Sequence, residues 1–129
     1  EVAWNRITSV RQNGQFLDPL AARDAFGFRV LFEPTWYQAL PALDISMPIN
    51  LGYAPQGRSA VAPVGTHKGG DLTIGINGEY AKTWKFGLAY THYFGSSAPM
   101  LVGATNYSNS FGQYMKDRNF LSFNVQTTF

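Results

Sequence analysis

The residues able to do chemistry in this chain sit at alternate positions. Arg29, Glu33, Asp44, Asn50, Asp71, Asn77, Glu79 and Lys85 each stand between apolar or small neighbours, so an extended backbone would carry them on one face. Acids, bases and amides spaced this way can pair across strands and can steer solutes along a polar lumen. The plainer reading is that they pair with one another and support a wall, because charges withdrawn from water need partners. The other candidates are weaker. His92 invites comparison with lipid hydrolases that carry Ser and His on a barrel wall, but no partner stands at a telling spacing, and an interfacial imidazole explains it as well. His67 with Asp71 makes two metal ligands in a glycine-rich stretch, too few for a site. Asn106, Tyr107 and Ser108 form a glycosylation acceptor pattern that is common by chance. Cysteine is absent, which removes disulfide frameworks and thiolate metal sites. The expectation is a chain without catalytic centre, metal or cofactor, and not an enzyme.

The elements that must position these residues are strands. Even positions from Ala25 to Phe32 are Phe26, Phe28, Val30 and Phe32, with Leu31 the apolar exception on the other face. Odd positions from Leu43 to Tyr53 are all apolar or aromatic, and Asp44, Ser46, Pro48, Asn50 and Gly52 lie between them. Asp71 to Tyr80 and Trp84 to Phe94 alternate in the same manner, as does Leu121 to Phe129, while Val2 to Ile7 is a weaker run. This predicts five strands and part of a sixth. Pro34 and Pro48 fall inside them, so a bulge or bend is expected where each removes a ladder donor.

Composition narrows the class. The chain has 129 residues, 45% hydrophobic and 16% aromatic, yet contains no apolar run of about 18 that a membrane helix needs. The N-terminus lacks the regions of a signal peptide, so an export signal is expected upstream. The net charge of +2 comes from ten scattered basic residues against eight acids, without the basic face of a nucleic-acid binder. Arg11, Arg23, Arg58, Lys68, Lys116 and Arg118 lie in loop-like stretches, where they would be solvated or meet lipopolysaccharide phosphates.

Connection lengths alternate. Residues 37–42 and Ala81 to Thr83 are hairpin-sized, whereas residues 9–23, 55–69 and 96–117 are long and rich in Gly, Pro, Ser and Asn, as solvated loops are. Strands that run up and down through an outer membrane produce this alternation. Trp36, Tyr37, Tyr80 and Trp84 near the short turns, and Tyr53, Tyr93 and Phe94 near the other ends, are placed as two interfacial belts would be. The predicted fold is all-β: an antiparallel up-and-down transmembrane β-barrel, of which residues 1–129 are the last five or six strands. Such a number cannot close a barrel of the usual size, so the chain reads as the C-terminal portion of a longer domain.

The segment "DRNFLSFNVQTTF" resembles the closing strand of bacterial outer-membrane proteins. That resemblance implies that Phe123, Val125, Thr127 and Phe129 form the signal read by the barrel-assembly machinery, with Thr127 a departure from the usual apolar residue. The stretches "AFGFRVLFEPTWYQALPALDISMPINLGYAPQGRS" and "GGDLTIGINGEYAKTWKFGLAYTHYFG" are similar to the end of a large proteobacterial family of outer-membrane proteins known only as a domain of unknown function. The resemblance implies handling of hydrophobic compounds such as fatty acids and steroids. The expected function is passage of hydrophobic or amphipathic compounds across the outer membrane, with membrane lipids, lipopolysaccharide and such small molecules as partners. The alternatives are a general porin, an adhesin or structural outer-membrane protein, and a soluble β-sandwich binding domain.

Overall fold

A computed structural model describes residues 1–59, 66–105 and 108–128. Phe129, Asn106 and Tyr107 lie outside the described residues. The chain is all-β and antiparallel, with one short 3-10 turn at Gly14–Phe16 among the described residues. The main sheet contains β1 (Val2–Arg6), β2 (Asp24–Phe32), β3 (Thr35–Leu40), β4 (Leu43–Ser46), β5 (Ile49–Gln56), β6 (Gly69–Tyr80), β7 (Trp84–Phe94) and β10 (Phe120–Thr127). A small ribbon, β8 (Leu101–Val102) with β9 (Ser108–Asn109), belongs to the link between β7 and β10.

Eight segments trace six paths, because β2 runs on into β3 and β4 runs on into β5. Phe32 stands opposite Ile49 and Thr35 opposite Ser46, so Glu33–Pro34 and Met47–Pro48 remain in step across the break. The same holds against β6, where Ser46 pairs Asn77 and Ile49 pairs Ile74. Of the bulge or bend expected at each proline, no bulge forms, since neither proline shifts the register. Each forfeits one donor and keeps its carbonyl in the ladder: Met47 N donates to Pro34 O at 3.0 Å, and Gly75 N donates to Pro48 O at 2.9 Å. Gly75 also leaves space for the proline ring, since a Cβ there would lie 3.1 Å from Pro48 Cγ.

The bulges fall elsewhere. One lies where Ala54 and Pro55 of β5 oppose the single residue Gly27 between Phe26 and Phe28. The other sets Tyr37, Gln38 and Ala39 against Asp44 alone, with Gln38 at φ 51°. Residues 37–40, expected in a turn, are therefore the end of a strand, and the turn is only Pro41–Ala42.

Connections sort by length to opposite ends of the sheet. Turns 41–42 and 81–83 meet at one end, where Ala81 N donates to Ala42 O at 2.7 Å. The three long links meet at the other, through Ala22 N to Arg58 O at 2.6 Å, His67 N to Phe111 O at 2.7 Å and Asn109 N to Asp18 Oδ2 at 3.0 Å.

The sheet has almost no core. Among the described residues the buried hydrophobic ones are Ala25, Ala54 and Phe111. The accessible surface is 9200 Å², against about 6,800 Å² expected for a soluble monomer of this mass. Part of it comes from the face made by Phe32, Ile74, Ile76, Leu88, Phe123 and Val125, each at least 44% exposed. No helix or second sheet covers that face among the described residues. At 11 residues, β7 is about 36 Å long, which a 45° tilt reduces to about the 25 Å of an apolar membrane band.

Candidate functional site: the polar face and the loop over it

Strand register assembles what the sequence separates by dozens of positions. Arg29 on β2, Gly52 on β5 and Asp71 on β6 form one cross-strand row. Arg29 Nη2 donates to Asp71 Oδ1 at 2.8 Å, and Nη1 donates to Asp71 Oδ2 and Asn50 Oδ1, both at 3.1 Å. The pair spans two strands because the middle residue has no side chain: a Cβ on Gly52 would lie 2.7 Å from Arg29 Nη2 and 2.9 Å from Asp71 Oδ1. Gly87 plays the same part for two amides, since its Cβ would meet Asn124 Nδ2 at 2.8 Å and Asn77 Oδ1 at 2.9 Å.

Nearer the short turns the face is acidic. Asp44, Glu79, Lys85 and Gln126 form a row, with Lys85 Nζ 3.5 Å from Glu79 Oε2. Asp44 Oδ1 accepts the backbone N–H of Gln38 at 2.7 Å and so holds the bulge beside it. Glu33 Oε1 accepts from Ser46 Oγ at 2.8 Å. These groups border a cavity of roughly 420 Å³. All eight residues singled out from the sequence thus share one face, mostly as paired or hydrogen-bonded groups.

Tyr37 and Tyr93 also lie on the polar side, beside Asp44 and Asp71 respectively, and not in the aromatic belts expected of them. The other belt residues do face the apolar side. Trp36, Tyr80 and Trp84 lie near the short turns, and Phe28, Tyr53 and Phe94 form a chain of rings near the long loops, with centroids 6.0 Å apart at each step. His92 belongs to that face, stacked on Phe94 at 6.4 Å. Phe123, Val125 and Thr127 are apolar-face residues opposite Leu88, Phe86 and Trp84.

Sequence reasoning missed the loop. Residues 96–117 were expected to be a solvated loop, yet the described residues of the link fold back over the polar face and supply Phe111 and Gln113, at 8% and 5% exposure two of the few buried residues. Gly95, at φ +125°, turns the chain out of β7. Gln113 Nε2 then donates to Gly70 O at 2.8 Å, while its backbone N donates to Ser96 O at 2.8 Å. A cavity of roughly 680 Å³ remains between loop and sheet, floored by Arg29 and Asp71 and roofed by Met100, Phe111 and Met115. The one available signal was an apolar cluster, Phe111 to Met115, inside an otherwise polar link. At the cavity edge, Thr66 Oγ1 and His67 Nδ1 are buried without a hydrogen-bond partner among the described residues. Burial, with Arg58 and Lys68 nearby, pushes the His67 pKa below its usual value. No group of three or more potential metal ligands occurs among the described residues.

Two outcomes follow. Replacing Gly52 by Val should cost about 1 kcal/mol in denaturation experiments, the range of a partly exposed pair, and much less when Asp71→Asn has already removed that pair. His67 resists protonation when folded, so its contribution is present above the unfolded imidazole pKa and is lost as pH falls through the range below about 6.5. The protection of the His67 amide, which donates to Phe111 O, relative to its intrinsic exchange rate should fall over that range.

A family profile described as a protein of unknown function (DUF1302) matches residues 1–129. No curated protein and no solved structure matches the chain. With its full length matched by that profile, the chain belongs to the DUF1302 family.

Proposed function

We propose that this chain is part of an outer-membrane β-barrel that passes hydrophobic or amphipathic compounds. In this reading the Phe, Leu, Ile and Trp face is solvated by lipid tails and the polar face borders a lumen. The carrying observation is the bare apolar face: a wide antiparallel sheet leaves large side chains exposed on β1, β2, β3, β6, β7 and β10, with no helix or second sheet over them among the described residues. A soluble protein rarely tolerates a contiguous apolar patch beyond a few hundred Å², whereas lipid makes such a face favourable. The alternation of long and short connections between the two ends supports the same reading, with the short turns periplasmic and the long loops outside.

The remaining roles follow from that assignment. Phe123, Val125, Thr127 and Phe129 would form the signal for the barrel-assembly machinery, and the first three stand together on the apolar side. Basic loop residues would meet lipopolysaccharide. The chain would be a conduit and not a catalyst. Passage of apolar cargo, as distinct from bulk ion flow, is supported by the loop folded over the polar face, which leaves a cavity instead of an open water column.

The test is uptake. Cells carrying the protein in their outer membrane should take up long-chain hydrophobic compounds faster than cells lacking it, and the purified protein should show no steady large conductance in planar bilayers. Steady conductance without hydrophobic uptake would favour a general porin. Membrane placement is tested separately by Ile49→Lys, which sets a charge on the apolar face between Phe32 and Ile74. A lipid-facing charge costs about 2–4 kcal/mol at mid-depth, so this variant should be lost from the membrane fraction while Asn77→Lys is retained. Equal recovery of both would contradict the facing.

A further inference from the structure

The space beneath the folded loop has walls of opposite character. Its floor is the Arg29–Asp71 pair and its roof is Met100, Phe111 and Met115. Roughly 680 Å³ lies within the range of small-molecule sites. Thioethers and a ring adapt to apolar bodies of varied shape. Guanidinium and carboxylate of the floor meet on both oxygens, and Glu1 lines the same space close enough to act on Arg29 electrostatically. A ligand carboxylate would have to displace Asp71 from Arg29 or lie beside it as a second negative charge, and either is unfavourable. A hydroxyl or carbonyl has no such conflict with the pair.

We propose that the cavity between the 95–119 loop and the Arg29–Asp71 floor is a binding site for an uncharged amphipath, an apolar body with a hydroxyl or carbonyl head. This rests on the reading that the polar face borders a passage, and it adds where the cargo pauses and which charge state is accepted. Gln113 is a positioning residue here: it ties the roof to Gly70 and touches the sheet through its amide. Arg29 is already matched by Asp71, with Glu1 on the same cavity lining, so the site selects against anions without contacting them favourably.

The three methionines of this chain give an internal control, since Met100 and Met115 line the cavity while Met47 lies on the apolar face opposite Pro34. The protein, labelled with 13C-methyl methionine and held in lipid nanodiscs, is titrated with 1-dodecanol and with dodecanoate at pH 8. Dodecanol should shift the Met100 and Met115 signals saturably, with dodecanoate about tenfold weaker, and Met47 should follow neither beyond its response in the lipid. Asp71→Asn should reverse the preference by exposing Arg29 to the carboxylate. Gln113→Leu should abolish the saturable shift while leaving the membrane-bound yield intact. Equal movement of all three methionines would mean partition into lipid only and would overturn the site, as would dodecanoate binding as tightly as the alcohol in the unaltered protein. Silent cavity methionines alongside retained hydrophobic uptake would remove this site and leave the passage function standing. Failure to insert in the membrane would remove that reading instead.

Discussion

Everything in this structure depends on the backbone ladder satisfying itself while one face of the sheet stays bare. The fold gains little from a core: the three buried hydrophobic side chains among the described residues cannot offset the conformational entropy of ordering the strands. What remains is hydrogen bonding between strands, and burial of the apolar face in whatever solvent meets it. In water that face is a liability. In a hydrocarbon solvent it is the source of stability, and each unpaired peptide group becomes costly instead. The prolines show how tightly the ladder is kept. Pro34 and Pro48 each remove a donor from the interior of the sheet, and the chain crosses both without a change of register, retaining the carbonyl bonds.

The polar face obeys a second rule, in which small residues create room for large polar ones. Gly52 and Gly87 are gaps over which Arg29 meets Asp71 and Asn77 approaches Asn124. Arg29 and Asp71 are thereby paired across strands two apart, so one contact links β2 to β6 over β5. The loop that folds over this face completes the arrangement. It brings in Phe111 and Gln113, two of the few side chains sequestered from solvent, at the end of the sheet where all three long links converge.

Period-two alternation made the strands and both faces legible, down to the common facing of Arg29, Glu33, Asp44, Asn50, Asp71, Asn77, Glu79 and Lys85. Alternation along a strand contains no information about which rows of different strands coincide, so the Arg29–Gly52–Asp71 row could not be read from it. Tyr37 and Tyr93 were misplaced for a related reason: nearness to a strand end suggested a belt, while parity within the strand set the opposite face. The folded loop was invisible because its anchor is a side-chain amide reaching a backbone carbonyl 43 positions away. Nothing in the spacing of Gly, Ser and Pro residues encodes such a contact. A bulge or bend was expected at each proline because a donor is lost, whereas retention of the carbonyl bond holds the register without a bulge.

The claim on which the account stands is that adjacent residues of one strand face different solvents. Because the chain has no cysteine, Leu88→Cys and Ala89→Cys on β7 can each be introduced alone. Intact outer membranes carrying these variants are exposed to a small hydrophilic maleimide. The account predicts rapid labelling at position 89, on the polar face, and no labelling at position 88 until the membrane is dissolved and the protein unfolded. Equal labelling of both positions in intact membranes would contradict it.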